Sequence, residues 1–254
     1  MPTPESKERL DQTLVLRQLC DSREQAKRLI LAGEVRVDGQ LVDKPATKIA
    51  ASAEVILKSK PRYVGRGGLK LEGALAQLGI NPTGLTCLDI GASTGGFTDC
   101  LLQHGAAEVF AIDVGTNQLA WKIRNDPRVT ARENFNARHL TLDDLPGRVD
   151  LIVIDVSFIS LTKILPAAFG VLNPSGEVIA LIKPQFEVER DQVGKGGIVR
   201  DETARHGAIE KITNFVSAEL GHRVLDVIDS PITGTDGNHE FFGHFRLSSD
   251  TAFT

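Results

Sequence analysis

Leu88-Asp89-Ile90-Gly91-Ala92-Ser93-Thr94-Gly95-Gly96-Phe97 is the stretch on which the fold turns. A short apolar run ends in an acid, passes through glycines and enters a helix-like segment from Phe97 to Gln103. Glycines at such a junction let the backbone turn tightly and leave main-chain N–H groups open to a ligand. The spacing Gly91-x-x-x-Gly95-Gly96 does not meet the dinucleotide pattern G-x-G-x-x-G, and no Gly-Lys-Ser/Thr follows, which excludes a P-loop. A glycine loop without a phosphate reader suits a nucleoside cofactor such as S-adenosylmethionine. Its candidate contacts are Asp89, Gly91, Ser93, Gly95, Gly96 and Phe97. A tight turn with no ligand is the competing reading.

Strand and helix patterns alternate outward from the loop. Strand candidates are 86–90, 109–113, 129–134, 151–155, 178–182 and 223–228. The runs 151–154 and 178–182 are continuously apolar, as in strands covered on both faces. The pattern predicts a doubly wound α/β sheet whose ligands bind outside the carboxyl ends of the strands. A last candidate, 239–246, follows its predecessor with no helix between, so it is expected to return antiparallel. By fold analogy this is the Rossmann-like sheet of S-adenosylmethionine-dependent methyltransferases.

Chemistry-bearing residues fall at those strand ends. Asp113 follows the loop at the spacing of a ribose-reading acid, about 20 residues. Asn134 is a candidate for the adenine amino group. Lys183 ends an apolar strand, where a buried ammonium needs a partner, and Asp155 is the nearest plausible one across the sheet. Lys70 and Glu240 are placed to join that pair. No cysteine or histidine spacing suggests a metal.

The 254 residues, 41% hydrophobic, suffice for one medium and one small domain, and the net charge of −4 argues against a uniformly basic nucleic-acid binder. That average hides an asymmetry: positions 1–70 carry +5 and the remainder −9. A basic front on an acidic body suggests that the front meets a polyanion. Cys20, Cys87 and Cys100 read as buried thiols of a reducing compartment. With neither a signal peptide nor a membrane-length apolar run, the expectation is a cytoplasmic protein without membrane contact. Oligomeric state is not legible.

Within the front, residues 9–32 read as two short helices, the second opened by the capping box Ser22-Arg23-Glu24-Gln25. Asp38-Gly39 between Val35-Arg36-Val37 and Gln40-Leu41-Val42 signals a two-residue hairpin, with 55–57 as a third strand. Arg9-Leu10-Asp11, Ser22-Arg23-x-x-Ala26, Leu29-Ile30-x-x-Gly33-x-Val35-x-Val37-x-Gly39 and Lys44-Pro45 resemble the small RNA-binding module named after the fourth protein of the small ribosomal subunit, also called the αL motif. The resemblance implies RNA contacts from Arg9, Arg17, Arg23, Lys27, Arg28, Arg36 and Lys44, with Arg62 and Arg66 beyond. The expected organisation is an α+β RNA-binding domain at 1–58, a basic linker at 59–68 and a methyltransferase domain at 69–254.

Lys70, Asp155, Lys183 and Glu240 match, in order and context, the Lys-Asp-Lys-Glu tetrad of FtsJ-like RNA 2′-O-methyltransferases. With Gly65-Arg66-Gly67-Gly68-Leu69-Lys70, Asp155-Val156-Ser157-Phe158-Ile159-Ser160 and Leu181-Ile182-Lys183-Pro184-Gln185-Phe186-Glu187, the chain resembles the TlyA (hemolysin A) family along essentially its whole length. Gly65 stands where that family usually has serine, and Pro61 and Tyr63 where its linker often has aromatic residues. The resemblance implies S-adenosylmethionine-dependent 2′-O-methylation of cytidine in ribosomal RNA or ribosomal subunits. Lys183 would be the base, its pKa lowered by burial and by Lys70 but opposed by Asp155, while Lys70 and Glu240 position the hydroxyl. The other readings are a membrane-active hemolysin and an RNA-binding protein with an inactive methyltransferase body.

Overall fold

The computed structural model describes residues 7–20, 22–57, 62–234 and 236–248. The chain divides into two compact units, Met1–Arg62 and Tyr63–Thr254.

The first unit runs β1 (Lys7–Arg9), α1 (Leu10–Leu16), α2 (Arg23–Leu31), β2 (Val35–Val37), β3 (Gln40–Leu41), β4 (Lys48–Ala50) and β5 (Val55–Leu57). Ser22 caps α2, its hydroxyl accepting from Gln25 N at 3.2 Å. Asp38 and Gly39 both take positive φ, 50° and 77°, the conformation a two-residue hairpin needs between β2 and β3. β5 pairs with the other edge of β2. β1, absent from the sequence reading, pairs antiparallel with β4 over three residues, too short for alternation to signal it. Leu10, Leu14, Ala26, Ile30 and Val35 form the core.

The second unit begins before the expected linker has ended. Lys58 to Pro61 lie outside the described residues, but Tyr63 is 3% exposed and α3 (Gly67–Leu78) starts two residues before the expected boundary. The reason is packing: Gly68 lies so close to the Tyr63 ring that a Cβ there would overlap it.

Then follow β6 (Thr86–Ile90), α4 (Gly96–Gln103), β7 (Glu108–Ile112), α5 (Trp121–Arg124), β8 (Val129–Arg132), β9 (Val149–Ile154), α6 (Leu165–Val171), β10 (Leu172–Ile182), α7 (Pro184–Glu187), α8 (Glu202–Asn214), β11 (Arg223–Asp229) and β12 (Phe241–Arg246). The seven-stranded sheet has the order β11-β12-β10-β9-β6-β7-β8. Pairing is parallel from β10 to β8, and β12 lies antiparallel between β10 and β11.

Period-two alternation builds a core on each side. Leu88, Ile90, Ile152, Ile154, Val178, Ala180 and Ile182 pack with α6 and α8 on one face. Cys87, Leu151, Val153, Ile179 and Leu181 pack with α3 and α4 on the other. Burying both faces explains why these strands read as unbroken apolar runs. Cys20, Cys87 and Cys100 are buried free thiols. Among the described residues no helix is long and apolar enough to cross a membrane.

β6 has β7 on one side and β9 on the other, so the chain reverses its direction of travel across the sheet there. The carboxyl ends of β6 and β9 therefore flank a switch-point crevice, where α/β sheets place ligands.

Candidate active site

The glycine loop is shaped by its neighbours. Gly91 takes φ 86°, and a Cβ there would overlap the main-chain carbonyl of Asp155. Asp155 N donates to Ile90 O at 2.9 Å, and Gly91 N to Ile112 O at 2.9 Å, so the loop is laced to both flanking strands. Asp113, just beyond β7, accepts from Ser93 N at 2.8 Å and from Gly115 N at 2.7 Å, one bond on each carboxylate oxygen. Each oxygen keeps further accepting capacity for a hydroxyl.

Two adjoining cavities open here. One, of about 520 Å³, is walled by Ile112, Asp113, Phe135, Asn136 and Ile164. The other, of about 470 Å³, is walled by Gly96, Phe97, Lys70, Lys183 and Glu240. Gly91, Ser93, Asp155, Ser157 and Phe158 line both. A carboxylate hydrogen-bonded to the loop with accepting capacity to spare, beside an apolar slot, suits the sugar and base of a nucleoside.

Three of the expected cofactor contacts are placed elsewhere. Gly95 does not reach either cavity wall; at φ 92° its missing side chain leaves room for Leu119 and Ile123. Asn134 also misses the cavity: β8 ends at Arg132, and it is Phe135 and Asn136 that face inward. Asp89 is fully buried beneath the loop, with Thr98 Oγ1 donating to its Oδ2 at 2.6 Å and Oδ1 unpartnered. Burial pushes the Asp89 carboxyl up to about 7, the Thr98 hydrogen bond opposing and the nearby Asp155 charge adding to the rise. A folded value above the unfolded one of about 3.9 makes its contribution complete below about pH 4 and lost by pH rising through 7. Asp89→Asn cannot ionise, so its stability relative to wild type should increase between pH 5 and pH 8, by about 2–3 kcal/mol. Thermal melts at the two pH values check this; a pH-independent difference would refute it.

The four tetrad residues converge from distant parts of the chain. Lys70 Nζ donates to Glu240 Oε2 at 2.5 Å, joining α3 to the residue before β12; both are buried. Lys183 Nζ lies 2.5 Å from Asp155 Oδ1, an ion contact between the ends of β10 and β9, and donates to Ser157 Oγ at 3.0 Å. All four line the same cavity. The expected Asp155–Lys183 partnership is present. Lys70 is not a bare cation beside Lys183, because Glu240 neutralises it.

Sequence reasoning assigned no role to Ser157, Phe158 or Phe186. Phe158 is 91% exposed and sits at φ 62°, a conformation that costs a bulky residue about 1–3 kcal/mol. Its ring lies 5.1 Å from that of Phe186, and both border the tetrad cavity. The signal was the phenylalanine within Asp155-Val156-Ser157-Phe158, an apolar residue just past a strand end where burial is not guaranteed.

The basic residues of the first unit divide. Lys27, Arg28 and Lys44 are exposed. Arg17 instead donates to Ala51 O and Ala53 O, both at 2.6 Å, and Arg36 to Gly39 O at 2.8 Å. Arg9 and Arg23 both bind the fully buried Asp11, at 2.9 and 2.8 Å. The hydrogen bond from Arg9, reinforced by Arg23, holds the Asp11 carboxyl down at about 2. This depressed value contributes stability above the unfolded value of about 3.9 and loses it as pH falls through 2. With both arginines half exposed, Asp11→Asn should cost the unit about 1–2 kcal/mol at neutral pH and nothing below pH 2. Denaturant titration checks it; equal loss at both pH values would refute it. Arg62, the last residue of this unit, is exposed, whereas Arg66 of the second unit lines the tetrad cavity and reaches Thr233 O at 3.4 Å.

Comparison with known proteins agrees with this geometry. Residues 63–247 match the FtsJ-like methyltransferase model and residues 8–55 the S4 domain model. The 16S/23S rRNA (cytidine-2′-O)-methyltransferase TlyA of Mycobacterium tuberculosis is 47% identical, over 97% of this chain and 92% of that protein. Hemolysin A of Brachyspira hyodysenteriae is 46% identical, over 94% of this chain and all of that one. A solved structure of a hemolysin-named protein from Streptococcus thermophilus superposes with a TM-score of 0.73 at 47% identity, covering 96% of this chain and 89% of that one. With the fold and both family models in agreement, the chain belongs to the FtsJ-like methyltransferase family and carries an S4 domain ahead of the transferase body.

Proposed function

We propose that this chain transfers the methyl group of S-adenosylmethionine to the ribose 2′-hydroxyl of a cytidine in ribosomal RNA, in the cytoplasm, with the S4 domain as an RNA-holding module. The observation that carries the reading is the convergence of two lysine–carboxylate pairs on a cavity that the glycine loop also lines. The names of its relatives support the ribosomal RNA cytidine as substrate.

Bound S-adenosylmethionine would supply an electrophilic sulfonium methyl. Gly91, Ser93 and Asp113 are the residues to hold its ribose and tail, with Ile112, Phe135 and Asn136 around the base. The hydroxyl is a weak nucleophile, so the protein's part is to fix it in line and to remove its proton. Lys183 takes that role as base, held by Asp155 and Ser157. Asp155 also turns negative charge toward the part of the cavity shared with the glycine loop. Lys70, fixed by Glu240, orients the ribose as a hydrogen-bond donor. The exposed ring of Phe158, beside the half-buried ring of Phe186, offers the unstacked base a platform.

Calorimetry with S-adenosylmethionine, together with a map of 2′-O-methylated riboses in ribosomes made with and without the protein, tests the reading. Cofactor binding and a new methylated cytidine are expected; neither a hemolysin nor an inactive body would give both. An unchanged ribose map would overturn it.

A further inference from the structure

Asn238 is 1% exposed and lies outside the tetrad, yet both ends of its amide are committed to another loop. Its Nδ2 donates to Gly197 O at 2.8 Å and its Oδ1 accepts from Val199 N at 2.9 Å. That pair of bonds grips a tight turn in which Gly194 bridges Ile198 and Gly196 and Gly197 take φ 78° and 75°. On its own side, Asn238 O accepts from Gly234 N at 2.9 Å. Gly234 in turn lies against the Glu240 carboxylate, so close that a Cβ would stand 2.5 Å from Oε1. Glu240 O accepts from Ser230 N at 2.9 Å, closing the segment at its base.

Glu240 must place a buried carboxylate against Lys70, yet it stands just before β12, outside the ladder that fixes the strand itself. Ladder bonds hold Phe241 onward; Glu240 keeps one backbone bond, from Ser230 N, and beyond that depends on the loop. An amide that bonds two backbone groups of a neighbouring turn supplies the missing constraint, because moving Asn238 would leave a buried N–H and a C=O unpaired.

We propose that Asn238 is a positioning residue for methyl transfer, pinning the Gly194–Val199 turn and the Gly234–Glu240 segment into one unit so that Glu240 holds Lys70 in register. The inference rests on the proposed role of the tetrad. It assigns Asn238 no contact with substrate or cofactor.

The test is a double-mutant cycle in the full-length protein, with S-adenosylmethionine and ribosomal subunits as substrates. Asn238→Ala should lower kcat roughly tenfold while the cofactor Kd and the KM for subunits stay within about twofold. Added to Glu240→Gln, the same substitution should have almost no further effect on kcat. Asn238→Asp, which keeps the acceptor for Val199 N and loses the donor to Gly197 O, should fall between and carries the test if the alanine variant does not fold. Hydrogen exchange supplies a readout independent of turnover: amides of 194–199 and 236–240 should lose protection together in the Asn238 variants. A loss of equal size in the Glu240→Gln background, a loss confined to KM or cofactor Kd, or exchange rising in one loop alone would overturn the inference. A wild-type protein without transferase activity would instead count against the proposed function, leaving the exchange measurement to judge the clamp.

Discussion

Lys183→Ala is expected to lose methyl transfer by a factor of about 10²–10⁴, the range a positioned general base contributes, while S-adenosylmethionine still binds. The separation follows from geometry. Lys183 borders the tetrad cavity but not the slot walled by Ile112, Asp113 and Asn136, so its removal leaves that slot untouched. Lys183→Arg sharpens the test. Arginine would keep a cation against Asp155, but it does not give up its proton at any ordinary pH. If Lys183 acts as base, Arg is about as defective as Ala. If it acts only as a charge, Arg retains most of the rate. Single-turnover methylation of ribosomal subunits, beside calorimetric cofactor binding, distinguishes the two. Near-normal turnover by the arginine variant would remove Lys183 from the base role.

The second large effect is structural and sits in the glycine loop, against Asp155. Gly91→Ala would drive a methyl into the main-chain carbonyl of Asp155, and the residue already takes φ 86°. The two nearest atoms are both backbone, the carbonyl oxygen and carbon of Asp155, so no flexible side chain can move aside to relieve the overlap. The left-handed conformation costs about 1–2 kcal/mol for a residue with a Cβ, and overpacking against fixed backbone adds about 1–3 kcal/mol. A total of about 2–5 kcal/mol corresponds to a fall in Tm of roughly 5–15 °C for a domain of this size. Relief by parting the ends of β6 and β9 would also move Asp155 away from Lys183, so activity should fall further than cofactor affinity. Melting curves and calorimetry on the purified variant check both parts. A variant with unchanged Tm and activity would mean that the loop does not sit against β9 as described.

Much of this was legible in the sequence, and the physical reasons differ by feature. Strands covered on both faces must be apolar at every position, so 151–154 and 178–182 announced themselves. A charge that ends such a run has nowhere to go but the rim, which is why Asp155 and Lys183 could be named and paired from spacing alone. Asp38-Gly39 specified its hairpin because only residues tolerant of positive φ fit there. Gly91 likewise marked a position where a side chain would collide with the end of another strand.

Tertiary structure decided what depends on contacts between segments far apart in the chain. Asp89 and Asp113 look alike as acids beside a glycine loop, yet one is sealed beneath it and the other faces the cavity. Local sequence does not record which side of a turn is roofed. Asn134 gave way to Asn136 because β8 stopped at Arg132, and a shift in where a strand ends changes which residues point inward. Arg9, Arg17, Arg23 and Arg36 read as an RNA-facing set, but a guanidinium binds a buried carboxylate or a bare carbonyl as readily as a phosphate. β12 entered between β10 and β11, a choice that antiparallel direction alone left open. The sequence by itself thus determined the periodic, locally strained and rim-charged features, including the glycine loop and the four charged residues that line one cavity. Only the folded chain determined that Lys70 pairs with Glu240, because ion pairing follows proximity in space and packing on the sheet brings α3 to the start of β12.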